Sequence, residues 1–527
     1  MRFWFIALLV GIAAGTAALF FRKGIEALQA ALYGTDNIDL LHTFAETLPW
    51  YWIITIPVCG GLLVGLILHF FTPDGRVDAV AEVIEGAALK DGRVSWRTGI
   101  ASAIASFITL SSGGSSGREG PVVHIAAVIS ARVSDVIKAD GITGRDLLGC
   151  AVAAAVSASF NAPIAGAIFA LEVILRHFAL HAFGPIVIAA VAGTVINRLE
   201  YGDVTEFVLP LENALEFYVE LPAFLLLGLI CGLVASVLML STFWADSVVS
   251  RWQERLNMPR YFRPAIAGLL LGILAIWFPH IIGVGYETTS LALTGELALY
   301  NVIVFSILKT TAVVITLAGR MGGGIFSPSL MLGALVGLAF GLVATAIFPE
   351  VSGSETLYAL AGMGALAAAV LGAPISTTLI VFELTGDWQT ELAVMVAVST
   401  STAMATKLVH RSYFLTQLER RNVHLAAGPQ AYLLAAVRVA TILRPPSDTG
   451  AATESACWQL IEQGIYIDGA ATLETAMPVF DQGGAAFLPV VTLFEDRNPE
   501  LLGVLHHVDA LKAYNRALAA TAKEEHS

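Results

Sequence analysis

The chain has 527 residues, 56% of them hydrophobic and only 13% charged, about half the charged share of an ordinary soluble protein. Its mean hydropathy of +0.75 calls for lipid as solvent, with spans of roughly 20 apolar residues, and excludes a soluble globular domain. The formal net charge of −13 says nothing about a ligand, because the acids gather in loops and in the C-terminal tail; no nucleic-acid partner is expected.

Residues Arg2 to Phe21 open the chain with a run too long for a signal segment, which continues without a cleavage region into Arg22 and reads as a retained first helix. Apolar stretches follow from Trp50 to Phe71, Thr98 to Leu110, Leu147 to Leu175, Phe183 to Val195, Leu221 to Phe243 and Pro264 to Phe278. The series closes with Val302 to Leu317, Leu330 to Phe348, Leu357 to Phe382 and Leu392 to Val409. Glycine breaks near Gly113, Gly322 and Gly372 interrupt it. Broken helices at membrane depth are tolerated where the backbone lines a cavity or is buried in protein. Such breaks in corresponding halves point to an inverted repeat around a midplane site.

Three basic clusters, Lys90/Arg93/Arg97, Arg251/Arg255/Arg260/Arg263 and Lys407/Arg411/Arg420/Arg421, mark the cytoplasmic side. The acid-rich segments Thr35 to Thr47 and Gly202 to Glu220 suit the other face. The less apolar tail from Asn422 onward is therefore expected in the cytoplasm. The four cysteines, Cys59, Cys150, Cys231 and Cys457, have no metal spacing, so neither a metal nor a cofactor is expected.

Two stretches carry chemistry. In Ser111 to Ile125, SSGGSSGREGPVVHI, a Gly/Ser turn runs into an apolar helix, whose unpaired N–H groups make an anion site. Glu119, at that helix start, is a costly membrane carboxylate. It either occupies the anion site and swings away when an anion arrives, or merely complements the helix dipole. In Gly322 to Pro328, GGGIFSP, the same elements recur at the head of the run Ser329 to Leu338. The pair is far more specific than either alone.

These residues resemble the CLC family of chloride channels and proton-coupled chloride exchangers. Gly117-Arg118-Glu119-Gly120-Pro121 is similar to its G(K/R)EGP signature, and Gly324-Ile325-Phe326-Ser327-Pro328 to GxFxP. Further matching segments are Phe160-Asn161-Ala162-Pro163 with Gly166 and Glu172, and Gly362-Met363-Gly364 with Ala373-Pro374 and Phe382-Glu383-Leu384-Thr385. The resemblance implies an all-α polytopic inverted-repeat membrane domain over residues 1–421, and a homodimer with a pore in each subunit. Glu119 would gate the pore, with an anion site built from Gly117, Arg118, Glu119, Gly324, Ile325 and Phe326.

Three positions depart from the family pattern. Where the family reads GSGIPE, this chain reads Val77-Asp78-Ala79-Val80-Ala81-Glu82, so Asp78 replaces the selectivity serine. A carboxylate about 4 Å from an anion costs roughly 4 kcal/mol at an effective dielectric near 20. Asp78 is therefore turned away as an N-cap, protonated, or the mark of a weak inner site. The exchangers' inner proton-relay glutamate is Val173 here, as in the family's channels. The pore tyrosine falls on Phe414 or the adjacent Tyr413.

In the tail, Val437-Arg438-Val439 starts a strand-like run, and Ala471 to Met477 reads as a helix. Phe487 to Val491 and Leu502 to Leu505 read as strands, and Asp509 begins a closing helix. The pattern resembles a small α/β CBS domain over residues 422–527. Asp509 matches the ribose-binding acid, but His506 replaces a nucleotide-contacting Ser or Thr. Dimerisation and adenine-nucleotide binding both stay open.

The expected function is transport of chloride or another small anion, channel-like or poorly proton-coupled, by a non-enzymatic multi-pass protein of the inner membrane in contact with lipid. The alternatives are an anion/proton exchanger with a different internal donor and, from Gly114-Ser115-Ser116-Gly117, an intramembrane serine protease. The latter needs a base within hydrogen-bond reach.

Overall fold

The computed structural model describes residues 2–34, 40–178, 180–202, 217–349, 352, 354–421, 423, 425, 434, 437–445, 452–469, 471–483, 486–494 and 497–525. Parts of the two acid-rich segments and of the tail lie outside them. The chain forms two compact units, residues 1–175 with 182–423, and residues 176–181 with 424–527.

The first unit is helical throughout. Its first half contains α1 (Arg2–Tyr33), α2 (Leu41–Ala45), α3 (Trp50–Phe71), α4 (Val80–Leu89), α5 (Trp96–Ser111), α6 (Glu119–Ile137), α7 (Gly141–Phe160) and α8 (Pro163–Phe169). A π-helical turn, Ala170–Leu175, and α9 (Leu180–Tyr201) follow. The second half contains α10 (Phe217–Arg255), α11 (Phe262–Trp277), α12 (Tyr286–Leu293), α13 (Leu299–Ala318), α14 (Phe326–Ile347), α15 (Glu355–Leu371), α16 (Pro374–Thr385), α17 (Trp388–Val409) and α18 (Tyr413–Glu419). Eight helices among the described residues are long and apolar enough to cross a membrane. Exposed Trp50 and Tyr51 at one end of α3, and Phe70 and Phe71 at the other, form the aromatic edges of a lipid-facing span.

Between apolar helices in lipid, small residues permit close backbone approach. A Cβ at Gly11 or Gly15 of α1 would fall 2.7 Å from the Cα of Ala189 or Gly193 on α9. One at Gly333 of α14 would fall 2.4 Å from the Gly362 carbonyl of α15. Most of α7 and nearly all of α15 are buried on every side, so these two helices are the core against which the others pack. The stretch Leu147 to Leu175 is not continuous: Asn161 takes a left-handed φ of 57°, and Pro163 opens α8.

The halves interlock by exchanging helix caps. Glu172, on the π turn, accepts from the N–H groups of Ile375 (3.0 Å) and Ser376 (2.8 Å) at the start of α16, and from the Ser376 hydroxyl (2.5 Å). Glu383, on α16, accepts from the N–H groups of Ile164 (3.0 Å) and Ala165 (2.7 Å) at the start of α8. Each carboxylate thus satisfies orphan donors of the other half.

The second unit has α19 (Glu454–Glu462), β1 (Ile467–Asp468), α20 (Leu473–Gly483), β2 (Phe487–Phe494), β3 (Arg497–His506) and α21 (His507–Glu525). β2 is central, parallel to β1 and antiparallel to β3. Val439, Ile467, Leu473, Phe480, Leu488, Val490 and Leu505 form its core. The strand expected from Val437 is absent: Arg438 makes a single bridge to Thr472, and Val439–Thr441 turns as a 3-10 helix. The turn brings Arg444 into paired hydrogen bonds with Val504, both 2.9 Å.

Candidate functional site

The site forms where the two glycine-rich turns meet. Gly117 N–H donates to the Gly324 carbonyl, and Gly324 N–H to the Gly117 carbonyl, each at 2.7 Å. This one antiparallel bridge sets the start of α6 against the start of α14. Gly113 (φ 96°) and Gly323 (φ 103°) take conformations that favour glycine. Buried hydroxyls consume the turns' own donors: Thr109 accepts from Gly322 N–H (2.9 Å), Ser106 from Gly323 N–H (3.0 Å) and Thr316 from Ser115 N–H (3.1 Å). The orphan N–H groups heading α6 and α14 are thereby left to face a common space.

Glu119 fills that space. It is 2% exposed, and the Ser327 hydroxyl on α14 donates to its Oε1 at 2.5 Å. A Cβ at Gly117 would fall 2.6 Å from Glu119 Oε2 and 3.0 Å from the Ser327 nitrogen. The carboxylate therefore lies in a seat that only glycine leaves open. Phe326 closes the wall against Phe160 and Phe169, with ring centroids at 4.8 and 5.8 Å.

A cavity of about 370 Å³ leads away from Glu119. Gly120, Gly324, Ile325 and Phe326 line its head; Val77, Ala79, Val80, Phe243, Tyr413 and Phe414 line its wall. Its mouth carries Arg76, Arg320, Arg420 and Arg421 against Asp246. Asp246 is shared between Arg263 (2.7 Å), Arg76 (3.4 Å) and Arg320 (3.8 Å), and Glu82 pairs with Arg421. With each acid outnumbered or used, the mouth is positive and concentrates anions.

Of the residues expected at the anion site, Glu119, Gly324, Ile325, Phe326, Tyr413 and Phe414 all line the cavity. Tyr413 stacks on Phe243 at 5.0 Å, so both candidate aromatics belong to one wall. Gly117 and Arg118 are not among the lining residues: the Gly117 amide is used in the bridge. Arg118 turns its guanidinium to the Ser159 carbonyl (3.2 Å) and the Tyr286 ring (5.1 Å).

Asp78 does not line the cavity, although its neighbours Val77 and Ala79 do. Nor is it the N-cap of α4; that position is Ala79. Alanine has no acceptor, and the capping work is done by Glu82, whose carboxylate accepts from Ala79 N–H at 2.6 Å. Asp78 instead donates its backbone N–H to Ser102 Oγ (2.8 Å). Val173 is buried in the π turn and is not among the lining residues.

The protease reading gains no base for either serine of Gly114-Ser115-Ser116-Gly117 among the described residues. Ser115 and Ser116 are fully buried, and neither hydroxyl has a hydrogen-bond partner among the described residues. No His/Cys/Asp/Glu group able to hold a metal occurs among the described residues. In the tail, Arg444 grips Asp509 with two hydrogen bonds, 2.6 and 3.1 Å, which hold that carboxyl below its usual range and occupy the acid matched to a ribose contact.

Sequence inspection did not single out Ser327 as the donor to Glu119, although it stands within GGGIFSP. It also missed Arg76 and Arg320 at the mouth and the exchanged caps. All depend on contacts between residues far apart in the chain.

Residues 60–406 match the family described as voltage gated chloride channel. A relative from Ralstonia nicotianae named "Putative chloride channel protein ClcB-like" is 32% identical over 410 residues, 76% of this chain and 93% of the relative. Among solved structures, a slow cyanobacterial Cl−/H+ antiporter superposes with a TM-score of 0.71 at 22% identity, covering 80% of this chain and 98% of its own. A eukaryotic CLC transporter superposes with a TM-score of 0.68 at 17% identity, covering 96% of this chain and 98% of its own.

Proposed function

The chain belongs to the voltage-gated chloride channel (CLC) family, and from that premise we propose that it is an anion pathway gated by Glu119, channel-like and uncoupled from protons. CLC-type anion transport by a multi-pass membrane protein is the common ground; the gate and the absence of coupling are the proposal. The observation that carries it is the seat of Glu119. A carboxylate lies where two helix starts converge, at the head of a cavity with an arginine mouth. Such a place favours any small anion, and the tethered one must leave before a free one enters.

The uncoupled reading rests on Val173, an apolar side chain buried in the π turn. Valine cannot carry a proton, and the adjacent Glu172 is committed to the start of α16. By the positive-inside rule, the arginine mouth and the tail face the cytoplasm of an inner membrane. Residues 1–421 form the transport domain, which works as a homodimer. The tail, residues 422–527, is a CBS-like dimerisation module, a reading supported by its small three-stranded sheet with helices. The Arg444–Asp509 pair argues against adenine nucleotide there.

The test is purified protein in liposomes under a chloride gradient, voltage clamped by a potassium ionophore, with chloride and proton electrodes together. Chloride efflux without uphill proton movement is expected. Proton pumping at a fixed ratio would overturn the uncoupled reading, and no chloride efflux would overturn anion conduction.

A further inference from the structure

On the opposite face from the cavity mouth, two histidines and a carboxylate form a compact cluster. His42 precedes the spanning helix α3 and Arg76 follows it, which places the cluster and the mouth at opposite ends of that span. Glu287, in the first turn of α12, accepts from His42 Nδ1 (2.8 Å), His42 N–H (2.9 Å) and the Thr43 hydroxyl (2.5 Å). These bonds tie α2 to α12. The His42 ring stacks on His280 at 4.2 Å, and His280 stacks on Phe305 of α13, also at 4.2 Å. His280 Nδ1 is buried with no hydrogen-bond partner among the described residues.

The cluster reaches the gate through one helix. Tyr286, the residue before Glu287, lies under the Arg118 guanidinium at 5.1 Å, and Arg118 is the residue before Glu119. Lys309 of α13 fixes the intervening loop by donating to the carbonyls of Gly283 (3.0 Å), Val284 (3.3 Å) and Ile281 (3.5 Å).

We propose that His42, His280 and Glu287 form a proton-operated latch that holds α12, and through Tyr286 and Arg118 the turn carrying Glu119, in place until His280 takes up a proton. The part concerning the gate rests on the anion-pathway reading above. The groups facing His280 are His42 from α2, Glu287 from α12 and Lys309 from α13, whose Nζ is spent on the loop carbonyls. The apolar core that includes Ile281 also takes in Leu271, Leu274 and Ala275 of α11. A proton on His280 thus adds a cation to a half-buried stack already containing His42, and its buried Nδ1–H has no acceptor among the described residues.

The direction of the pH effect follows. Burial, then the charge of His42, hold His280 down to about 4 from 6.5, against the opposing pull of Glu287. Glu287 is itself raised by burial, but the bonds from His42 and Thr43 bring it below its usual value, so it stays anionic. A histidine with a depressed value favours the closed latch fully above pH 6.5, and that contribution is lost as pH falls toward 4. With 6.5 for the open form, the closed-to-open ratio falls about 70-fold between pH 7.5 and 4.5.

Hydrogen–deuterium exchange of the full-length protein in detergent, corrected for the intrinsic pH dependence of amide exchange, reads the latch directly. Protection over residues 40–47 and 286–293 should fall by tens of fold between pH 7.5 and 4.5 in the wild type, and stay constant in His280→Phe, which keeps the stack without the nitrogen. His42→Gln, which keeps a donor but removes the like charge, should make that fall severalfold smaller, because a proton on His280 then costs the closed latch less, and it decides the matter if His280→Phe does not fold. Protection flat with pH in the wild type, or an undiminished fall in His42→Gln, overturns the latch. For the link to the gate, chloride flux is measured in a Glu119→Gln background, where Glu119 itself no longer titrates. External acidification to pH 4.5 should lower flux severalfold there and not in Glu119→Gln/His280→Phe. A flat or rising profile in Glu119→Gln overturns the link. Absence of flux at every pH counts against the anion pathway alone, with exchange still deciding the latch.

Discussion

The turn before α6 and the turn before α14 share a backbone plan but divide the chemistry. Both run from a glycine with φ near 100° into a helix start, and they meet through the reciprocal Gly117–Gly324 bridge. The first supplies a carboxylate, Glu119; the second supplies the hydroxyl that receives it, Ser327. Elsewhere the halves remain equivalent, since Glu172 caps α16 and Glu383 caps α8 in the same manner. The two halves therefore share a frame of capped helix starts, and that symmetry is broken at one acid, Glu119, and its donor, Ser327.

The largest expected break in this comparison is Glu119→Gln. Removing the tethered charge leaves both helix starts to the free anion, and chloride flux at pH 7.5 should rise about tenfold or more, the interaction at stake being up to roughly 4 kcal/mol. Ser327→Ala comes next. A hydrogen bond to a charged group is worth about 1.5–3 kcal/mol, so the seated carboxylate should release about tenfold more readily, seen as a flux–pH curve displaced toward that of Glu119→Gln.

Two matched glycine substitutions sharpen the comparison further. An alanine Cβ at Gly117 meets Glu119 Oε2 at 2.6 Å, whereas one at Gly324 meets the Gly120 backbone at 3.1 Å and no carboxylate. Gly117→Ala should flatten the pH dependence of flux by expelling the side chain. Gly324→Ala should leave that dependence intact and lower thermal stability. The smallest effects belong to the symmetric part. Glu172→Gln and Glu383→Gln each weaken one helix cap, worth about 1 kcal/mol, and should lower Tm by similar amounts without altering the pH profile. A large functional effect of only one of them would show that the caps are not equivalent.

Much of this was legible in the chain itself. GREGP and GGGIFSP placed both helix starts, because glycine-rich turns before apolar runs have few other uses at membrane depth. Arg420 and Arg421 stood out in the sequence only as a mark of sidedness, and the structure places both on the cavity. What could not be read depends on long-range contact. The donation of Ser327 to Glu119 joins residues in opposite halves, and nothing local to Ser327 marks it. Asp78 looked like a cap because short polar residues usually are, but Glu82 reached back to Ala79 and displaced the helix start by one position. In the tail, the β-branched Val437-Arg438-Val439 suggested a strand, yet the chain turns at once as a 3-10 helix, and Arg444 beyond it pairs with Val504. His42 and His280 lie far apart in sequence and gave no sign of stacking.

The central claim is that Glu119 and a free anion compete for one seat between the starts of α6 and α14. Calorimetric titration of chloride into the wild type and Glu119→Gln at pH 7.5 tests it without recourse to flux. Binding at least about tenfold tighter in Glu119→Gln is the result predicted from the removed like charge. Equal affinity in the two proteins would contradict the claim, because the carboxylate would then not occupy the anion's place.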